Sequence, residues 1–250
     1  MSLFALLPGL LLPAFGGWLA LRLIEGRTPV LLRSERWFLG CMSGLAYGMF
    51  FVFLGQITFA LPFALPAFLG VFVLIDLLLL ILFRRSRLPW KPSAIETAPS
   101  HPLSRNAKII LGILLTWIVL KTVIVGTTFL LLIPTFLDDS LDNWNLRGKV
   151  FYETKQLTLV LPNEAPLSSP VGVSSYPPSL PLMKTWLAAI AGSWNDPLIN
   201  SIHILWYAAS LVLVFAALRR RVNPAWAITG TYMLGSMPLS FANETRLPIV

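Results

Sequence analysis

Three carboxylates within five positions, Asp138, Asp139 and Asp142, follow directly on a long apolar run that ends near Ile133. In a chain that is 56% hydrophobic and 12% charged, such a cluster stands out from the background composition. Acids at this spacing suit two kinds of chemistry. One is metal-bound diphosphate chemistry, in which the literal DDxxD pattern sets acids one helical turn apart to hold magnesium against a prenyl diphosphate. That pattern usually works in pairs, and the sequence carries a single copy. The other is general-base catalysis, in which one carboxylate just outside a bilayer takes a proton from an acceptor hydroxyl while a lipid-phosphate donor is held nearby. A third reading makes the acids a solvated cap on the segment that follows the apolar run.

The elements that position these acids are membrane helices. A mean hydropathy of +0.75 over 250 residues is that of an integral membrane protein. The fold expected is all-α, with about six transmembrane helices and a long outer loop containing short interfacial helices. The spans run from Leu3 to Leu21, Trp37 to Leu54, Phe59 to Phe83, Ile109 to Ile133, Leu198 to Leu218 and Pro224 to Ala242. The first has no basic residue ahead of it and is as long as a crossing, unlike a cleaved leader. Basic residues cluster after span one (Arg22, Arg27, Arg33, Arg36), between spans three and four (Arg84 to Lys108) and between spans five and six (Arg219, Arg220, Arg221). The positive-inside rule puts these three loops in the cytoplasm, the N-terminus outside and the acidic segment on the outer face of the cell (inner) membrane. The net charge of +8 records this bias and implies no nucleic-acid partner. Cys41, the sole cysteine, lies inside span two as a small apolar residue and excludes an intramolecular disulfide.

Three units are expected: a three-helix membrane unit (1–85), a Pro- and Ser-rich cytoplasmic linker (86–107), and a second membrane unit (108–250) with an outer loop over 134–197. Within that loop, Trp144 to Gln156 reads as a short helix capped by Asp142 or Asn143. Leu182 to Trp194 reads as an interfacial helix with Trp186 and Trp194 at headgroup depth. No repeat, phosphate-binding glycine loop or zinc-protease pattern is present.

A helix ending in Asp138 and Asp139 is followed by Trp144-Asn145-Leu146-Arg147-Gly148-Lys149-Val150-Phe151-Tyr152 and then by Tyr176-Pro177-Pro178-Ser179-Leu180-Pro181. From about Ile109 onward this order resembles the membrane glycosyltransferases of the GT-C superfamily, in the branch of the protein-mannosyltransferase-like and aminoarabinose-transferase-like enzymes. Gly148 stands where that family commonly has Ala. The resemblance implies transfer of a sugar, with inversion, from a polyprenyl-phosphate-linked donor to a lipid, glycan or protein acceptor on the outer face. It implies Asp139 as general base with Asp138 second, Arg147 and Lys149 on the donor phosphate, and Tyr152 and Tyr176 lining the substrate pocket. A divalent metal is compatible with the acids but not required. Family members carry more helices and a further outer acidic motif, so the chain is expected to be an N-terminal fragment or truncated member, with Glu244 as a stand-in acid.

Asp76 and Lys121 lie inside spans three and four, where an ionisable side chain needs a partner or a polar cavity. Their Cα atoms differ in depth by roughly 8 Å at about 1.5 Å rise per residue, and the lean of helical side chains narrows the gap. They are expected to pair as a clasp between the two membrane units, in preference to a proton or ion path. His203, one turn from Asn200, reads as a hydrogen-bonded packing residue. Three further readings stay open: a non-catalytic membrane subunit or remnant, a small-solute transporter relying on Asp76 and Lys121, and a membrane prenyltransferase using DDxxD.

Overall fold

The computed structural model describes residues 6–91, 102–128, 132, 144–158 and 177–237. Among the described residues all regular structure is helical: α1 (Leu6–Glu25), α2 (Arg33–Phe59), α3 (Leu65–Arg85), α4 (Arg105–Leu120) running into a π turn (Lys121–Val125), α5 (Leu146–Thr154), α6 (Ser179–Ala191), α7 (Asp196–Arg219) and α8 (Pro224–Ser236). Four of these, α2, α3, α4 with its π turn, and α7, are long and apolar enough to cross a bilayer. They point to a membrane protein, and they fall on the second to fifth expected spans. The first and sixth spans rest partly on residues outside the described set, since α1 begins at Leu6 and α8 ends at Ser236.

Local chemistry explains where the helices start and stop. Ser104, Asn195 and Asn223 each accept a backbone N–H from the first turn of α4, α7 and α8. Pro197 and Pro224 occupy first-turn positions, where no N–H is needed. Ala60 closes α2 in the left-handed region at φ 52°, and Gly192 closes α6 at φ 75°.

The core lies where α6 meets α1, α2, α3 and α7. Trp186 of α6 is 1% exposed and packs on Phe68 and Phe72, with ring centroids 5.5 and 5.1 Å away. Its Nε1 donates to Gly9 O at 3.0 Å. That carbonyl lacks its usual helical donor because residue 13, four positions on, is a proline. The expected interfacial helix is therefore corrected: Pro181 to Ala189 and Ala191 are all buried, and Trp186 sits in the core. Apart from Lys184 and Thr185 this helix is apolar around its middle, so no lipid-facing stripe marks one side and it buries where neighbours surround it.

The three basic segments gather at one end of the molecule. Arg22 Nη2 donates to Pro89 O at 3.3 Å, and Arg220 Nη2 pairs with Glu35 Oε2. Glu25 is the centre of this end: its carboxylate accepts from Arg36 Nε at 2.7 Å and Arg36 Nη2 at 3.0 Å, from Arg22 Nη1 at 3.3 Å, and from the N–H groups of Val30 and Leu31. Burial alone would raise its pKa, but the Arg36 and backbone hydrogen bonds outweigh burial and hold it down at about 2. At the opposite end, Phe63 N, in the link between α2 and α3, donates to Lys155 O just beyond α5 at 2.8 Å.

Candidate functional site

The helices α5, α6 and the start of α7 form a compact polar cluster at the end remote from Glu25. Gly148 lets α5 lie directly on α6. A Cβ there would stand 2.9 Å from the Trp194 ring and 3.1 Å from Pro181 O, so an alanine would push its neighbours apart. Thr185 Oγ1 spans the contact, 3.0 Å from Gly148 O and 2.9 Å from Pro181 O.

Inside this contact lies a lysine that the sequence reading passed over. Lys184 is 1% exposed; its Nζ donates to Asn145 Oδ1 and, at 2.9 Å, to Asn200 Oδ1. Both acceptors are neutral amides. Burial pushes the Lys184 pKa down to about 7, with the Asp196 carboxylate opposing the shift. Two acceptors match the two N–H bonds of a neutral amine, whereas the ammonium form has a third proton to place. No third acceptor stands there among the described residues.

Arg147, on the same contact, is 2% exposed, and burial lowers its pKa from the ordinary value. A guanidinium nevertheless keeps its charge. Lys149, two residues on, is exposed, because positions i and i+2 of a helix face apart. The structure thus separates Arg147 from Lys149, burying the first and exposing the second. Tyr152 is half-buried against Trp194, with Lys155 Nζ 3.8 Å above its ring. Asp138, Asp139, Asp142, Tyr176 and Glu244 lie outside the described residues.

No family model, curated protein or solved structure matches this chain.

Asp76 and Lys121 do not form the expected clasp. Lys121 Nζ donates to Gly235 O of α8 at 2.6 Å and lies 5.2 Å from the Trp117 ring centroid, while Asp76 faces α1 and α2. The two residues point to different neighbours around their helices. Among the described residues, Glu35 on α2 and Arg220 just beyond α7 form a charged contact that joins the first three helices to the rest. Asn200, expected beside His203, gives its oxygen to Lys184.

Below the polar cluster, an apolar groove of about 460 Å³ runs between the π turn, α7 and α8, lined by Leu115, Thr122, Ala208, Phe215 and Ile228 among others. The π turn helps shape it: Thr122 Oγ1 donates back to Ile118 O at 2.8 Å, competing with the helical ladder. From Asn200 to Ala208 along α7 is roughly 12 Å at 1.5 Å per residue.

Proposed function

We propose that this chain transfers a sugar from a polyprenyl-phosphate-linked donor to an acceptor at the outer face of the membrane. The observation that carries the reading is the pair of buried basic side chains, Arg147 and Lys184, held on touching helices, the first of which follows the Asp138–Asp139 segment in the chain. A donor phosphate arriving there gains the bidentate guanidinium of Arg147 and supplies Lys184 with its missing acceptor. Such an anion favours the charged lysine, so donor binding and proton uptake by Lys184 are coupled. Lys149 replaces or assists at the rim, where its exposed ammonium meets headgroups. Asp139 acts as general base on the acceptor hydroxyl, Asp138 stands second, and Tyr152 and Tyr176 shape the pocket. The apolar groove between the π turn, α7 and α8 takes the donor's isoprenoid chain, a dozen or so ångströms below its phosphate.

In this reading the end that gathers Glu25, Arg36 and Arg220 faces the cytoplasm, and the GT-C-like arrangement of the resemblance accounts for an acidic loop at the opposite surface. The test is binding of a polyprenyl phosphate to the protein in detergent micelles, with proton uptake read by calorimetry in buffers of differing ionisation enthalpy. Uptake is expected with wild type and not with Lys184→Met. Binding with no proton exchange in either protein overturns the role of Lys184.

A further inference from the structure

Asp76 sits near the middle of α3, one of the helices long and apolar enough to cross a bilayer, and is 6% exposed. Neither of its carboxylate oxygens has a hydrogen-bond partner among the described residues, and neither does the buried Tyr47 hydroxyl of α2. The two groups converge on one point. A Cβ added at Gly16 of α1 would overlap Asp76 Oδ1 and lie 2.5 Å from Tyr47 Oη. A three-helix crossing has therefore been opened by a residue with no side chain, and an acid and a phenol fill the opening.

Other charged or titratable groups on the elements packed against α3 are committed elsewhere. On α1, Arg22 and Glu25 bind each other at the basic end; on α2, Arg36 joins them and Glu35 pairs with Arg220, while Cys41 is buried among apolar side chains. On α6, Lys184 rests on Asn145 and Asn200. No cation among the described residues reaches Asp76. An ionised carboxylate without hydrogen bonds in such surroundings costs several kcal/mol or more, and the group escapes that cost by taking a proton.

We infer that Asp76 and Tyr47 form a proton-binding site within the membrane-spanning helices, with the Asp76 carboxyl protonated at neutral pH and Tyr47 as its neighbouring oxygen. The ligand is the proton itself. An intramembrane acid of this kind is a functional site by default, since a leucine would fill the space at lower cost. The site stands independently of sugar transfer, and a variant at Asp76 leaves the Arg147 and Lys184 contact in place.

The experiment is infrared spectroscopy of the protein in lipid vesicles after labelling its aspartates with carbon-13 at the side-chain carboxyl. Wild type is expected to show the C=O stretch of a protonated acid throughout the neutral pH range, unchanged when sodium replaces potassium. Asp76→Asn removes that band, and Tyr47→Phe shifts it without abolishing it. Gly16→Ala, which displaces the carboxyl without removing it, shifts it as well. Carboxylate bands alone at neutral pH in the labelled wild type overturn the proposal, as does loss of the acid band on adding sodium, which makes the site one for a metal cation. A band that Tyr47→Phe leaves unmoved removes Tyr47 from the site. Because the wild-type spectrum decides the protonation state by itself, failure of Asp76→Asn to fold does not shield the inference.

Discussion

At one end of the helical bundle Glu25 lies between Arg22 and Arg36 and takes two backbone N–H groups, so opposite charges meet at hydrogen-bond distance. At the other end Lys184 is as deeply buried, yet its acceptors are the uncharged oxygens of Asn145 and Asn200. Both arrangements take ions out of water, but they differ in what they leave over. The Glu25 cluster is neutralised by its own members and fastens α1, α2 and the segment after α3 together. Lys184 keeps an unused donor when charged. A buried charge matched within the fold serves the fold; one matched by neutral groups is ready for an outside anion.

Breaking the matched end has the largest effect. Glu25→Gln leaves Arg22 and Arg36 without their carboxylate and is expected to lower stability by about 3–5 kcal/mol, read from thermal unfolding in detergent. In wild type the Glu25 contribution is fully present above its unfolded value of 4.5 and is lost as the pH falls from there toward about 2. Retention of full stability at the acid end of that window shows that the cluster does not hold the helices.

Next comes the α5–α6 contact. Gly148→Ala forces the Trp194 ring and the Pro181 carbonyl to move, at a cost of about 1–3 kcal/mol, and is expected to weaken polyprenyl-phosphate binding by displacing Arg147.

Lys184→Met sharpens the contrast between the two ends. Losing the amine takes one donor from each of Asn145 and Asn200 but also removes a buried ionisable group, so the stability change stays under about 2 kcal/mol in either direction. Affinity for a polyprenyl phosphate nevertheless falls about 10-fold or more. The pH dependence has the same sign as that of Glu25 but falls in a separate, alkaline window. Between pH about 7 and 10.5 the unfolded lysine binds a proton that the folded one releases, so wild-type stability rises with pH across that window. In Lys184→Met that rise is expected to vanish, and equal slopes in both proteins contradict the buried neutral amine.

The smallest effect belongs to Arg220→Ala. Arg220 keeps 35% of its side-chain surface in solvent, so its pairing with Glu35 contributes under about 1 kcal/mol.

The sequence was most legible where long apolar runs are bounded by basic residues, and the second to fifth spans follow from that pattern. The gathering of the basic loops was legible too, because charge bias along the chain maps onto one end of the structure in Arg22, Pro89, Glu35 and Arg220. Rotation about the helix axes was not. Asp76 and Lys121 face different neighbours, and hydropathy alone does not order the faces of an all-apolar helix. The same limit hid α6, whose thirteen residues look interfacial by length and buried by composition. The overlooked signal was Lys184 itself, a lone lysine in the run LPLMKTWLAA with apolar residues on both sides. Had it faced lipid headgroups, a polar stripe would be expected beside it. The acids that opened the reading, Asp138 and Asp139, lie outside the described residues, so their role rests on their position in the chain.

Sugar transfer itself is the most direct measurement. Protein in vesicles is supplied with a purified polyprenyl-phosphate sugar and an acceptor lipid, and release of polyprenyl phosphate is followed for wild type, Asp139→Asn and Lys184→Met. Transfer by wild type, a loss of about 10²–10⁴-fold in Asp139→Asn and a raised donor requirement in Lys184→Met are predicted. No transfer by wild type, or equal rates in wild type and Asp139→Asn, contradicts a transferase at this site.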